Sequence, residues 1–232
     1  MNRKKIFSYF SVNFVFLFVL LFNTQAQLQT VVNDSIQEKK STTLLEGIYV
    51  GTDLFSPVSS GFFGADHVSY QLFVQANLMN KFFPIWEIGV GKGNKTDELN
   101  LNLQTNSGLY NKIGLNYNML KKDKEDFMYM GARLGFSSFT YGLRGISFSS
   151  GYWGDKFNGS VNDQNASVVW SEILAGIQVK VVSNLYMGWN IAYKIKLKEQ
   201  VDDAHVKPWY IPGYGTSKWG IMYQVFYKIP FL

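Results

Sequence analysis

The chain has 232 residues, carries 22 Lys and Arg against 17 Asp and Glu, and contains no cysteine. Disulfide scaffolds, thiolate metal sites and cysteine nucleophiles are therefore excluded. Charged residues make up 17%, well below the roughly 25% of soluble domains, and aromatic residues another 17%, so the composition points away from an ordinary water-soluble domain.

At the start, Arg3, Lys4 and Lys5 precede an apolar run from Ile6 to Phe22, followed by Asn23, Thr24, Gln25, Ala26 and Gln27. A basic segment, an apolar core and a small residue at the exit read as a secretory signal peptide over residues 1–26. No cysteine follows the core, which excludes a lipoprotein anchor. The leader holds three of the basic residues and no acidic one, leaving 19 basic against 17 acidic residues. The net charge of +5 is thus mostly the leader's, and the basic footprint expected of a nucleic-acid binder is missing. Residues 27–43 are polar, lack a sustained period and read as a flexible periplasmic tail. Beyond the leader there is no apolar stretch of 18 residues or more, so a helical membrane protein is excluded.

From Leu44 onward apolar residues recur at a spacing of two, the strand period. The first segment, near Leu44 to Phe55, sets Ile48, Val50, Thr52 and Leu54 against Gly47, Tyr49, Gly51 and Asp53. The second, near Val68 to Met79, sets Val68, Tyr70, Leu72 and Val74 against Ser69, Gln71, Phe73 and Gln75. Trp86, Ile88 and Val90 oppose Glu87, Gly89 and Gly91 in the third, near Phe83 to Gly93. In the fourth, Gly108 to Leu120, Ile113, Leu115 and Tyr117 oppose Lys112, Gly114 and Asn116. The fifth, Phe127 to Tyr141, sets Met130, Ala132 and Leu134 against Tyr129, Gly131, Arg133 and Gly135. The sixth, Val168 to Val182, sets Ile173, Ala175 and Ile177 against Glu172, Gly176, Gln178 and Lys180. The seventh, Leu185 to Lys198, sets Trp189, Ile191 and Tyr193 against Asn190, Lys194 and Lys196. In the eighth, Lys218 to Phe231, Ile221, Tyr223, Val225 and Tyr227 oppose Gly220, Gln224, Phe226 and Lys228. Each segment has one apolar face and one rich in Gly, Asn, Gln and charge, and no helix-sized segment or second domain is left over.

The connections alternate in length. Those after the second, fourth and sixth segments are short; those after the first, third, fifth and seventh are long, the longest being Gly142 to Ser167. Segments of about ten residues joined in this way predict an all-β fold: an eight-stranded antiparallel up-and-down transmembrane β-barrel with short periplasmic turns and long extracellular loops, spanning residues 44–232. The competing fold is a soluble barrel whose apolar face points inward around a lipid. Repeated Gly on the polar face, and aromatic residues near segment ends such as Phe83, Trp86, Tyr117 and Tyr227, favour the membrane barrel.

With its leader, its eight amphipathic segments and the run Ile221, Tyr223, Val225, Tyr227, Ile229 and Phe231, the chain resembles the small outer-membrane barrels related to outer-membrane proteins A, X and W. Its wealth of Asn, Lys and aromatic residues is similar to that of Bacteroidota members. The resemblance implies the outer membrane of a Gram-negative bacterium, with outer-membrane lipid and lipopolysaccharide as surroundings. It also implies that Tyr223, Val225, Tyr227, Ile229 and Phe231 form the strand recognised by the barrel-assembly machinery. In the tail, Asp34-Ser35-Ile36 resembles the O-glycosylation sequon of exported Bacteroidota proteins, which implies a glycan on Ser35.

Asp53, Glu87 and Glu172 share the polar face with Lys112, Arg133, Lys180, Lys194, Lys196 and Lys228. In a narrow lumen buried charges must pair, so these groups are expected to form a charge network that fills it. Phe148, Tyr152, Trp153 and Phe157 in one long connection, and Trp209, Tyr210 and Tyr214 in another, are candidate contacts for a sugar or protein partner. His67-Val68-Ser69 resembles the dyad of lipid A deacylases, but the alternation turns both groups away from lipid. Two dispersed histidines, His67 and His205, without cysteine do not make a zinc site. The expectation is a non-enzymatic outer-membrane protein without metal or cofactor, structural or acting through its long loops. The alternatives are a conduit for small hydrophobic molecules, a lipid A-modifying enzyme and a soluble periplasmic lipid carrier.

Overall fold

The computed structural model describes residues 44–97, 101–120, 125–149, 156–202 and 207–230. The leader, the tail with Ser35, and Tyr152, Trp153, His205 and Phe231 lie outside the described residues. The elements run β1 (Leu45–Asp53), α1 (Phe55–Phe63), β2 (His67–Leu78), β3 (Phe82–Thr96), β4 (Asn102–Asn118), β5 (Phe127–Ser149), β6 (Lys156–Val182), β7 (Leu185–Val201) and β8 (Trp219–Ile229). Each strand pairs antiparallel with the next, and β1 pairs with β8, for example Val50 with Tyr227, so the sheet closes into an eight-stranded barrel.

The period of two dictates which side chains face the lumen. Glu87 is 0% exposed while its neighbours Trp86 and Ile88 are 51% and 39% exposed. The same parity holds around the wall: Leu72, Ile113, Met130, Ile173, Trp189 and Ile221 are exposed, and Phe73, Lys112, Arg133, Glu172, Asn190 and Gln224 are buried. Short turns sit at one end, with Met79 and Asn80 between β2 and β3 both in the left-handed region (φ 56° and 54°). There the Asn77 carboxamide oxygen accepts the Asn80 amide at 2.9 Å.

The lumen is more apolar in places than its sequence suggests. At the short-turn end Tyr49, Phe73, Phe83, Ile85, Phe127, Tyr186 and Phe226 pack together. Toward the other end Tyr110, Phe139, Tyr141, Val168, Trp170, Ile211 and Tyr214 form a second cluster. Phe83, expected at a membrane interface, is 2% exposed and belongs to the first cluster. Inward glycines make room for these rings. A Cβ on Gly135 would run into the Trp170 indole, and one on Gly89 into the Tyr110 ring.

Three expectations are corrected at the long-connection end. Between Asn94 and Ser107, expected to be a long connection, β3 and β4 stay paired as far as Thr96 with Asn102, and only residues 97–101 join them. The fifth connection is largely sheet: β5 and β6 continue past the barrel as a hairpin, with Phe148 opposite Phe157 in the register. The first connection contains the helix α1, whose Phe62 and Phe63 are 84% and 81% exposed. A nine-residue apolar helix with no buried residue gives no strong helical period, which is why it reads as a loop.

Replacing Gly135 by valine should overpack the lumen against Trp170 and lower stability by about 1–3 kcal/mol. Gly61→Val, at a position with open space around its Cβ, should stay within about 0.5 kcal/mol of the parent. Urea midpoints of the folded protein in detergent compare the two, and equal midpoints would refute this account of the inward glycines.

Candidate functional site

The middle of the lumen is built by cross-strand register. Glu87 on β3 stands opposite Lys112 on β4, and Arg133 on β5 stands opposite Glu172 on β6. The Arg133 Nε donates to Glu87 Oε1 at 2.9 Å and its Nη1 to Asn116 Oδ1 at 2.7 Å. The Lys112 ammonium lies 3.4 Å from Glu87 Oε2 and 3.4 Å from Glu172 Oε1, bridging the two acids. Glu87 Oε2 also accepts Gln71 Nε2 at 3.0 Å, and Glu172 Oε1 accepts the Trp170 indole N–H at 2.7 Å. These charges are out of water, and the desolvation cost is met only because several hydrogen bonds act on each group. Glu172 Oε2 is the exception, a buried carboxylate oxygen with no hydrogen-bond partner among the described residues.

Around this core the remaining charged groups of the polar face separate by position. Asp53 is buried at the end of β1, where Oδ1 accepts the Phe55 and Tyr223 amides, each at 3.1 Å. Lys194, opposite Glu172 in the β6–β7 register, donates to the Tyr214 carbonyl and lies 5.2 Å from the Tyr214 ring centroid. Three lysines fall outside the expected network. Lys196 stands beside a register shift at the barrel lip and pairs with Glu199 at 3.2 Å. Lys180, near the β6–β7 turn, pairs with Glu125 at 2.5 Å. Lys228 is at the short-turn end, 6.0 Å from the Tyr49 ring. A strand longer than the lumen carries the inward parity past both rims, and there a lysine reaches water or a rim carboxylate instead.

The connection from β7 to β8 folds into the mouth. Tyr210 is 1% and Tyr214 5% exposed, so these rings, expected on the surface, are packed inside. Burial pushes the Tyr210 phenol above its ordinary range. Ile211 and Gly215 pair across a tight turn, and Gly213 and Gly215 take φ of 79° and 84°, backbone conformations that disfavour any side chain. The Tyr210 carbonyl accepts the Thr105 hydroxyl at 3.1 Å, and the Trp209 indole N–H donates to the Leu103 carbonyl at 2.9 Å. His67 lies half-buried against this plug, its ring centroid 4.9 Å from that of Tyr210. The Ser69 hydroxyl and amide both contact the Ser56 hydroxyl of α1, at 3.1 and 2.8 Å. At the lip, Asp202 accepts the backbone amide and side chain of Asn165 at 3.0 and 2.8 Å, which holds its carboxyl below the usual aspartate range.

Between the charged core and this plug lies a cavity of about 190 Å³. Asp53, Lys112, Glu172 and Lys194 line it, as do Ser56 of α1 and Gly220 of β8, and the exposed Thr216 and Ser217 stand at its outer edge. The sequence pattern placed the charges on the inner face. It placed Gln71 and Asn116 there too, and missed Tyr110 and Trp170, which complete the polar shell, and the Tyr214 carbonyl that holds Lys194. The alternation does carry a signal for Trp170, since it shares the inward parity of Glu172.

Together these features define the class: a closed eight-stranded barrel with a hydrophobic outer wall, an ion-paired interior and a mouth plugged by its own last connection. The chain belongs to the family described as "Domain of unknown function (DUF6048)", whose profile matches residues 6–232. Among solved structures it is similar to a major outer membrane protein from Thermus thermophilus, at 9% identity and a TM-score of 0.47 over 79% of this chain and 98% of that one. No curated protein matches the sequence.

Glu87→Leu should cost about 3–5 kcal/mol, because Arg133 and Lys112 would be left to share one acid. Glu87→Leu combined with Lys112→Met removes one charge of each sign and should recover part of that loss. Urea unfolding followed by tryptophan fluorescence gives both numbers, and a double variant no better than the single one would contradict charge pairing as the cause. The Asp202 clamp has its own pH window. Its folded-state pKa is depressed, so its contribution is present above the ordinary aspartate value of 3.8 and is lost as pH falls through the lower folded value. The protection factor of the Asn165 amide, its exchange rate relative to an unstructured amide at the same pH, should fall in that acid window in the parent protein and be low already at neutral pH in Asp202→Ala.

Proposed function

We propose that the protein is a non-enzymatic barrel of the outer membrane of a Gram-negative bacterium, with the short turns in the periplasm and the β5–β6 hairpin and mouth plug outside. Its role is structural, or one of surface interaction through the long-connection end. The observation that carries this reading is the outer wall. Tyr70, Leu72, Trp86, Ile113, Ile173 and Ile221 are each more than half exposed, and they belong to an apolar exterior that continues around the barrel. Soluble monomers rarely expose contiguous apolar patches beyond a few hundred Å², and a lipid bilayer is the solvent that such a wall fits.

The filled lumen favours a structural role over a conduit. Two aromatic clusters and an ion-paired core lie in series along the axis, and a hydrophobic solute crossing them would have to break buried ion pairs. The non-enzymatic reading is supported by Ser69, whose hydroxyl contacts Ser56, and by His67, which stacks on Tyr210. Outer-membrane lipid and lipopolysaccharide would surround the wall, and the β8 residues Tyr223, Val225, Tyr227 and Ile229 would meet the barrel-assembly machinery during insertion. The hairpin beyond the lip offers the surface for a protein or glycan partner.

The test is the outer-membrane fraction of cells producing the full chain. An unboiled sample should migrate faster than a boiled one on a denaturing gel, protease on intact cells should cut only at the long-connection end, and the purified protein should give no steady conductance in planar bilayers. A soluble periplasmic protein without a mobility shift would overturn the membrane reading. Stable single-channel steps would overturn the plugged one.

A further inference from the structure

The cavity at the long-connection end has an internal charge pattern that the ion-paired core does not consume. Among the described residues the buried charged side chains of the barrel are Asp53, Glu87, Glu172, Lys112, Arg133 and Lys194, equal numbers of each sign. Arg133 and Lys112 both pair with Glu87, and Lys112 also pairs with Glu172 through Oε1 alone. Asp53 is held by two backbone amides. That leaves two groups on the cavity wall with unspent capacity. Glu172 is 1% exposed, and its Oε2 has no partner among the described residues. Lys194 is 8% exposed and forms no ion pair with a described carboxylate, its hydrogen-bond acceptor being the Tyr214 carbonyl. An ammonium carries three donors, and buried donors or acceptors left unpaired are costly.

We infer that this cavity binds a small zwitterion, its anionic group on Lys194 and its ammonium on Glu172. A lone anion or cation would leave the interior with an uncompensated buried charge. A net-neutral solute with separated charges meets the unpaired Glu172 Oε2 and the Lys194 ammonium together and leaves the balance intact. The size fits as well: a single water needs roughly 10–15 Å³, so about 190 Å³ accommodates a solute of amino-acid size. Access is on the side of Thr216 and Ser217, which are exposed and line the outer edge. The inference stands on the cavity and not on the membrane reading, since the same mouth on a soluble barrel would take the same ligand. Two sources share the chemistry, a free amino acid and the zwitterionic headgroup of a phospholipid.

The experiment is calorimetry on the full chain, folded in a non-ionic detergent, with glycine, γ-aminobutyrate and glycerophosphoethanolamine as zwitterionic probes and acetate and ethylamine as single-charge controls. At least one zwitterion should bind, and both controls should bind at least about tenfold more weakly. Lys194→Met and Glu172→Gln should each weaken that binding by about tenfold or more, the scale of a lost hydrogen bond to a charged group. Because Glu172 also serves the ion-paired core, Gly220→Val and Ala192→Leu provide a second arm that narrows the cavity without altering a charge. A Cβ at Gly220 would lie 3.0 Å from the Lys194 ammonium nitrogen. Every variant is first shown to keep the parent's far-ultraviolet circular dichroism spectrum. Binding of glycerophosphoethanolamine alone assigns the site to a lipid headgroup, and binding of the amino acids assigns it to a free solute; either supports the site. The inference is overturned if no zwitterion binds the folded parent, if acetate binds as tightly as the zwitterions, or if the cavity-narrowing variants bind as the parent does.

Discussion

Closing eight strands on themselves leaves an interior just wide enough for side chains to fill, and much of this structure follows from that width. The strand period sends alternate residues into the lumen whatever their chemistry, so every inward position must find a partner in a space without bulk water. Glu87, Lys112, Arg133 and Glu172 meet this condition by facing one another across neighbouring strands. Tyr110 and Trp170 meet it by placing their rings over glycines and their polar atoms on Gln71 and Glu172. The glycines and the large rings are thus one device, because the free volume left by Gly89 and Gly135 is what admits the rings beside the ion pairs.

The closed wall is shortest at β1, and α1 follows where that strand stops. β1 stops at Asp53 while β2 begins at His67 and β8 at Trp219, and the register between β1 and its neighbours ends at Thr52 with Leu72 and Asp53 with Gln224. The strand edges beyond those pairs would expose unpaired amides, a costly state wherever water is scarce. Side chains replace the missing strand. Asp53 accepts the Tyr223 amide, Ser56 accepts the Ser69 amide, and the Leu54 amide bonds the Tyr223 carbonyl. The helix therefore lies against β2 and β8 beyond the end of β1, with Phe62 and Phe63 exposed.

Parity was legible because it is local: Trp86, Glu87 and Ile88 announce their faces without reference to any other strand. What depends on partners far along the chain was not legible. Tyr210 and Tyr214 lie in a polar stretch rich in Gly and Pro that reads as an exposed loop, yet they are buried because Gly213 and Gly215 turn the chain back into the mouth. Lys194 and Lys196 have the same parity and similar neighbours, yet one is buried and the other pairs with Glu199 at the lip. Nothing in the sequence marks the height at which the lumen ends. The inward Phe73, Phe83 and Phe226 show the same limit, since aromatic residues on a mixed face do not reveal that they converge.

The two ends of the barrel are consequently different chemical environments. At the short-turn end Tyr49, Phe127 and Tyr186 meet edge to face, with ring centroids 6.4 and 5.2 Å apart, and this packing seals the lumen with rings that need no solute. At the other end the seal is a folded-in connection that ties its backbone to Thr105 and Lys194 and leaves a polar cavity beneath it. A plug built only to exclude water would do better with apolar contacts, because burying Glu172 with a free oxygen costs stability and gains no packing. Glu172 carries that cost on the wall of the cavity beneath the plug, so an unpaired buried carboxylate oxygen stands where the interior adjoins exposed residues.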